Sequence, residues 1–218
     1  MVAHGFLPYD RLAGRLLPLV GGGDDGSHDV GHLARVWANA RVILAAEGGD
    51  GEVLAAAVLL HDCVHVEKSS PLRSQASRLA AERGRRVLGE LGWERSRIEA
   101  VGHAIEAHSF SAGIAPVTLE ARILQDADRL EAIGAIGVAR CFYTAGRMGS
   151  ALYDAGDPRG ERRAFDDGAF AIDHFRTKLL TLEGGFQTAT GGWLARERTQ
   201  LVADFLAAFE GEIGLPPE

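Results

Sequence analysis

Histidines and aspartates recur in four stretches of this 218-residue chain whose other positions are largely apolar. A single histidine is usually an ordinary core or surface residue, but four stretches that each supply such groups favour a shared site. A buried carboxylate without a compensating charge is costly, and a bound cation removes that cost. Imidazole nitrogens and carboxylate oxygens together suit Mn²⁺, Fe²⁺, Co²⁺ or Zn²⁺. The sequence therefore predicts a divalent metal site drawn from His28, Asp29, His32, His61, Asp62, His65, His103, His108, Asp126 and Asp128.

The elements that must position these residues are helices, because apolar residues recur at a spacing of three to four through most of the chain. Alternating β-branched runs between turns are nearly absent, so we expect an all-α fold, a helical bundle. Ser69-Ser70-Pro71 is a helix-start signal, and the glycine-rich residues 48–51 are a stop. The predicted helices cover about 29–47, 52–66, 69–92, 94–109, 118–147, 170–182 and 192–213, after a short N-terminal helix.

Gly134 and Gly137 argue against one unbroken helix over residues 118–147. Asp126 and Asp128 are two residues apart, which is about 200° around a helix, so only one of them should face a metal.

Residues 153–167 have the composition of turns. We expect that segment to be the most mobile internal part of the chain and a candidate lid.

The charge balance limits the partners of the protein. Twenty-three Lys and Arg against 30 Asp and Glu give a net charge of −7, which argues against a binder of nucleic-acid duplexes. We find neither an export signal nor a run of about 18 uncharged apolar residues that would span a membrane. The two cysteines, Cys63 and Cys141, do not suggest a disulfide framework. We expect a cytoplasmic protein with no membrane partner.

The order of His32, the adjacent His61-Asp62 and the later Asp126-Ala127-Asp128-Arg129-Leu130 resembles the HD-domain superfamily of metal-dependent phosphohydrolases. The resemblance implies an all-helical HD domain whose metal ligands are His32, His61, Asp62 and Asp128. Because the Ala-Asp-Arg-Leu pattern matches at Asp128, Asp126 would support the ligands or lie at the surface. The implied cofactor is a divalent ion, with Mn²⁺ favoured over Fe, Co, Ni, Zn or Mg.

The resemblance extends to the YedJ/YpgQ-like branch of that superfamily and covers most of the chain. The matching pieces are residues 28–36, 60–62, 107–111, 120–137, 173–180 and 188–209. This branch implies a phosphohydrolase acting on nucleotides or related small phosphates. We favour a nucleoside triphosphate pyrophosphohydrolase that releases a monophosphate and pyrophosphate. The alternatives are a phosphomonoesterase, a non-catalytic metal- and nucleotide-binding regulatory module, and a di-iron oxygenase of the HD type.

A second metal is a further alternative, because some HD enzymes place two more histidines between the His-Asp pair and the last Asp. Here the candidates are His103 and His108. Five residues separate them, which is about 140° around a helix and suits one ion poorly unless the helix ends between them. We therefore expect one metal.

Four basic residues, Arg35, Lys68, Arg73 and Lys178, are candidates for binding a substrate phosphate. Arg35 is three residues after His32 and shares its helix face. Lys68 follows the His-Asp pair, and Lys178 is four residues after His174. Lys68, Arg73 and Lys178 could equally be solvated surface charges, and Arg35 is the first candidate.

Acid–base and supporting roles fall to residues beside the predicted ligands. Asp62 would take part in catalysis, and His65, four residues after His61, would act as an acid or remain an exposed histidine. His108, within His-Ser-Phe-Ser, would bind substrate or transfer a proton, with a core or loop role as the alternative. Asp29 and Glu131 would orient ligands through hydrogen bonds, or simply cap helices.

We expect a single HD domain over residues 1–218. Its core motif region would cover about 28–147, and a C-terminal helical extension would cover about 164–215. The last predicted helix carries an apolar stripe of Leu201, Phe205, Leu206 and Phe209. That stripe would support a homodimer or serve an intramolecular core.

Overall fold

The computed structural model describes residues 2–20, 30–64, 66, 72–109 and 112–216, except the side chains of Val2, His4 and Arg73. It confirms the predicted all-α fold, with no β-strand among these residues. Among them, no helix combines the length and the apolar character that a membrane crossing requires. The helices are α1 (Asp10–Leu16), α2 (Val30–Glu47), α3 (Gly51–Leu60), α4 (Ala76–Glu90), α5 (Arg95–His108), α6 (Leu119–Arg129), α7 (Gly134–Met148), α8 (Asp173–Thr177) and α9 (Ala189–Glu212).

The chain forms two compact units, residues 1–128 and 129–218. In the N-terminal unit, α3 is the central helix and packs against α1, α2, α4 and α5. Every residue from Val53 to Leu60 is buried, as a helix that is apolar all round requires. Asp50 starts this helix by accepting hydrogen bonds from the backbone N–H groups of Glu52 and Val53, each 3.0 Å.

The boundaries of α3 and α6 differ from the predicted ones. The prediction of a helix to residue 66 was wrong, since α3 ends at Leu60 and a turn follows in which Cys63 donates to the Leu60 carbonyl. The 118–147 segment is two helices, because a 3₁₀ turn, Leu130–Ala132, follows α6. Gly134 then adopts φ +70°, which L side chains disfavour. The predicted start of the helix before residue 92 falls on residues 69–71, which lie outside the described residues.

The C-terminal unit, residues 129–218, is organised around aromatic side chains of α7, α8 and α9. Phe142 lies 5.8 Å from both Phe175 and Phe205, measured between ring centroids, and Phe209 stacks beside Phe205 at 6.3 Å. The predicted apolar stripe of α9 thus serves the core of its own unit, with Leu206 buried, while Leu201 stays 43% exposed. The homodimer remains a prediction, as does the single domain over residues 1–218.

The loop at residues 153–167 is held by hydrogen bonds of its own acidic side chains. Asp157 accepts from the backbone N–H groups of Glu161 and Arg162, at 3.0 and 2.8 Å. Arg163 pairs with Asp154 at 3.0 Å and with the fully buried Asp173. The predicted helix over residues 170–182 is only the short α8, followed by the 3₁₀ segment Leu179–Gly185. This density of contacts does not favour the predicted mobility.

Candidate metal centre

Three helices of the N-terminal unit bring their carboxyl ends to one place. His61 is the residue that follows the last turn of α3, and Asp62 comes directly after it. His108 is the last residue of α5, and Asp128 is the last but one of α6. The carboxyl end of a helix carries a partial negative charge, so three such ends together favour a cation. His32 completes the set from α2.

Four side chains, His32, His61, Asp62 and Asp128, form what we call the four-group cluster. The Nε2 atoms of His32 and His61 are 3.3 Å apart. His32 Nε2 lies 3.7 Å from Asp62 Oδ2 and 3.5 Å from Asp128 Oδ1, and His61 Nε2 lies 3.6 and 3.9 Å from the same atoms. Ligand atoms that surround one ion at about 2.1 Å are roughly 3.0–3.4 Å apart, so small shifts would seat an ion. The residues fit a divalent metal.

The imidazole ring of His61 is oriented for metal binding by a backbone carbonyl. His61 Nδ1 donates to the Val58 carbonyl at 2.8 Å, which leaves the Nε2 lone pair facing the cluster. Burial lowers the pKa of His61 below its usual value, while the Asp62 carboxylate opposes that shift. The neutral ring, which is the form that binds a metal, is therefore favoured.

His108 lies against the four-group cluster. Its ring stands edge-on to that of His61, with centroids 4.9 Å apart, and its Nε2 is 3.9 Å from Asp62 Oδ1. His108 Nδ1 donates to the Ile105 carbonyl at 2.6 Å, so Nε2 is the atom turned towards Asp62. Two overlapping groups could thus hold a metal, one of His32, His61 and Asp128 and the other of His61, Asp62 and His108.

His103 is not part of either group. Its Nε2 accepts a hydrogen bond from the backbone N–H of Val117 at 3.1 Å. Helix α5 runs unbroken from Arg95 to His108, so the five-residue spacing turns the two histidines to different sides, as the helical geometry predicts. A second ion held by the pair His103 and His108 is not supported.

The other predicted residues are placed as follows. Asp126 is fully buried, which excludes the surface role considered for it, and Glu131 is also buried. Arg35 is half-buried on α2, one turn after His32. Lys178 is exposed and follows α8 in the C-terminal unit. Asp29, His65 and Lys68 lie outside the described residues.

Two buried side-chain amides at the centre were missed by the sequence analysis. Asn39 donates to the Ala127 carbonyl at 3.0 Å, and Gln125 donates to the Ala107 carbonyl at 2.7 Å. Ala127 directly precedes Asp128 in the chain, and Ala107 directly precedes His108. The available signal was a polar residue on an otherwise apolar helix face, since Asn39 is two turns after His32.

Thiol chemistry does not compete with a metal at this place. Cys63 follows Asp62 directly but is buried, and burial raises the pKa of its thiol to about 11. The thiol therefore stays protonated near neutral pH.

Comparison with known proteins identifies the class. Residues 29–133 match the HD domain family, and the chain belongs to that family. It is 32% identical over 194 residues to the uncharacterized protein YpgQ of Bacillus subtilis, covering 87% of this chain and 86% of the relative. HD domains bind divalent metals, and the four-group cluster fits that property.

Solved structures give the same answer. The structure of Bacillus subtilis YpgQ in complex with ADP has a TM-score of 0.72 at 28% identity, over 98% of both chains. An HD-superfamily hydrolase from Bacillus thuringiensis also has a TM-score of 0.72 at 28% identity, over 93% of this chain and 96% of the other. The chain thus belongs to the HD domain family, to which HD-superfamily hydrolases of known structure are similar over almost their whole length.

Proposed function

We propose that the protein is a metal-dependent phosphohydrolase that acts on nucleotides, with Mn²⁺ as the favoured ion. The observation that carries the proposal is the four-group cluster, whose donor atoms lie between 3.3 and 3.9 Å from one another in the pairs measured. The side chains of Asp62 and Asp128 are each 32% exposed, so the centre is open to solvent on the carboxylate side. A phosphate group could approach from there.

The reaction we favour is hydrolysis of a nucleoside triphosphate to a monophosphate and pyrophosphate. Water adds to the α-phosphorus, the bond between that phosphorus and the bridging oxygen breaks, and pyrophosphate leaves. A divalent ion, when bound, lowers the pKa of water and neutralises phosphate charge. The ADP bound to YpgQ supports a nucleotide as the ligand class.

The chain's own groups account for holding the ion and for moving protons. His32 and His61 would bind through Nε2, and Asp62 and Asp128 through Oδ2 and Oδ1, the atoms that face one another. Asp62 keeps its second oxygen, Oδ1, towards His108 Nε2 at 3.9 Å. The pair can take the proton released from the attacking water and return it to solvent or to the leaving group.

Substrate charge would be met by basic residues. Arg35 is suited to this role because it is half-buried on the helix that carries His32. A guanidinium can bind a phosphate through two parallel N–H groups. Lys68 and Lys178 remain predicted phosphate-binding residues, and His65 remains a predicted catalytic acid. Asp29, Asp126 and Glu131 would support the centre.

A two-ion centre is the second candidate, because His61, Asp62 and His108 form their own group of donor atoms. Such a centre would suit the di-iron oxygenase considered above. The two candidates predict different stoichiometries, one ion per chain for the phosphohydrolase and two for the oxygenase.

The test is product analysis after metal-stripped protein is reloaded with Mn²⁺ and incubated with nucleoside mono-, di- and triphosphates. Monophosphate with pyrophosphate from triphosphates supports the proposal, and orthophosphate from monophosphates replaces it by a phosphomonoesterase. The matched control is Asp62→Ala, which should form no product. No product from any nucleotide, with the metal bound, would overturn the proposal in favour of a binding role or oxygenase chemistry.

A further inference from the structure

The last turns of α3, α5 and α6 share a hydrogen-bonding arrangement that the proposed chemistry does not use. A helix leaves its last four carbonyls without partners inside the helix, and buried carbonyls without partners are costly. In α3 and α5 the histidines of the centre take one of these carbonyls each, at Val58 and Ile105. Side-chain amides take the carbonyls of Ala107 and Ala127. Side chains thus donate hydrogen bonds to carbonyls at each of the helix ends that surround the centre.

The two amides act between helices rather than within one. Asn39, on α2, reaches across 88 residues of sequence to the carbonyl beside Asp128. Gln125, on α6, reaches across 18 residues to the carbonyl beside His108. Because α2 also carries His32, the chain of contacts joins the helices of His32, Asp128 and His108 in that order. Both amides are buried, with 7% and 3% of their surfaces exposed.

We propose that Asn39 and Gln125 are positioning residues, which set Asp128 and His108 at the distances that one ion and one proton-transfer group require. This inference rests on the proposed metal centre, but it assigns roles to residues that touch neither metal nor substrate. A carbonyl can only accept, so the amide nitrogen of each residue must point to it, and the direction of the donor fixes the side chain. In a close-packed interior, a helix end held in this way cannot shift without breaking a buried hydrogen bond.

The Asn39 arm of the test measures metal affinity. Asn39→Leu keeps the approximate size of the side chain and removes the donor. Supporting residues of metal ligands typically change affinity by about 10–100-fold, and we expect a loss in that range for Mn²⁺ measured by calorimetry on metal-stripped protein. The matched control is Leu88→Ala, which opens the core at a fully buried position of α4. It should destabilise the fold while leaving the affinity within about twofold, since Leu88 lies on α4, a helix that carries no predicted metal ligand.

The Gln125 arm measures the state of His108 and needs neither metal nor substrate. Gln125→Met removes the donor with a flexible side chain of similar length. We expect the ring resonances of His108 in a two-bond ¹H–¹⁵N spectrum of metal-free protein to move, while those of His103, on the same helix, stay in place. In kinetics with an identified substrate at saturating Mn²⁺, Gln125→Met should have a lower kcat than wild type and an unchanged KM.

The outcomes separate this inference from the proposed function. If wild-type protein binds no Mn²⁺, the proposed function fails, and the resonances of His108 in Gln125→Met still decide the positioning role. If wild-type protein binds Mn²⁺ and Asn39→Leu binds it equally tightly, Asn39 is an ordinary packing residue. Unmoved His108 resonances in Gln125→Met would remove the role of Gln125 in the same way.

Discussion

Each unit of the chain buries a cluster of ionisable side chains, and the two clusters differ in what they leave uncompensated. In the C-terminal unit, the carboxylate of Glu210 meets two guanidiniums, and we call Arg159, Arg176 and Glu210 the arginine cluster. Arg159 lies 2.9 Å from Glu210, and Arg176 contacts its other oxygen. Both oxygens of Glu210 thus meet a positive charge, as expected of groups that stabilise a fold.

The four-group cluster of the N-terminal unit has the opposite character. Two carboxylates and two imidazole nitrogens converge, and these are atoms that offer lone pairs. Such a set is costly to bury and becomes favourable when a cation enters. The comparison teaches that ionisable groups brought together in a fold mark a functional site where all of them offer lone pairs, and a stabilising contact where opposite charges meet. Matched substitutions in the two clusters should therefore have opposite effects.

The largest effect is expected from Asp128→Asn, which keeps the shape of the side chain and removes its charge. Turnover of the nucleotide substrate should fall about a thousandfold, because loss of several kcal/mol of transition-state stabilisation corresponds to that factor. The melting temperature of the metal-free protein should stay near that of wild type, since crowding of lone pairs is relieved. Calorimetry and steady-state kinetics check both parts. Full activity would remove Asp128 from the ligand set.

Glu210→Gln is the matched substitution in the arginine cluster. Breaking a buried ion pair leaves uncompensated charge and costs about 3–5 kcal/mol, and here we expect about 3 because both arginines keep some exposure. Urea unfolding measures the loss. Turnover at temperatures where the variant is folded should match wild type. A variant that lost activity without losing stability would contradict the assignment of the arginine cluster to stability.

Much of the fold follows from local signals in the sequence. Helix α2 ends at Glu47 and α3 starts at Gly51, where the glycine run and the Asp50 cap place those boundaries. Prediction failed where local signals are weak: apolar residues continue past Leu60, but the helix ends there. The break after α6 was indicated by Gly134 and Gly137, and Gly134 adopts the positive φ that favours glycine, but the sequence did not give the exact end of α6.

The residues of the metal centre could be predicted only in part. His32, His61, Asp62 and Asp128 could be selected because their types and order resemble a known pattern, and the structure brings them together. The spacing of His103 and His108 also predicted that they would not share an ion. Asn39 and Gln125 could not be selected, because their hydrogen bonds join helices that are distant in sequence. No local pattern encodes such a contact.

The effect of Mn²⁺ on the free energy of unfolding is a further test of the difference between the two clusters. An ion that binds only the folded state at 100 times its Kd adds about 2.7 kcal/mol to the free energy of unfolding. We expect Mn²⁺ to give this increase in wild type and in Glu210→Gln, and to give little in Asp128→Asn. Thermal unfolding with and without Mn²⁺ measures it. An equal increase in all three proteins would place the ion outside the four-group cluster.

The smallest effect is expected from His103→Ala, which tests whether the edge of the centre lies between the two histidines of α5. His103 only accepts a hydrogen bond from the Val117 backbone at an exposed position, and such a bond contributes about 1 kcal/mol or less. Mn²⁺ affinity and turnover should stay within about twofold of wild type, whereas His108→Ala should lower turnover. Because both residues are on one helix, a general weakening of α5 would affect the two variants alike. Equal losses of turnover in both, with the melting temperatures of both variants unchanged, would mean that the centre extends to His103.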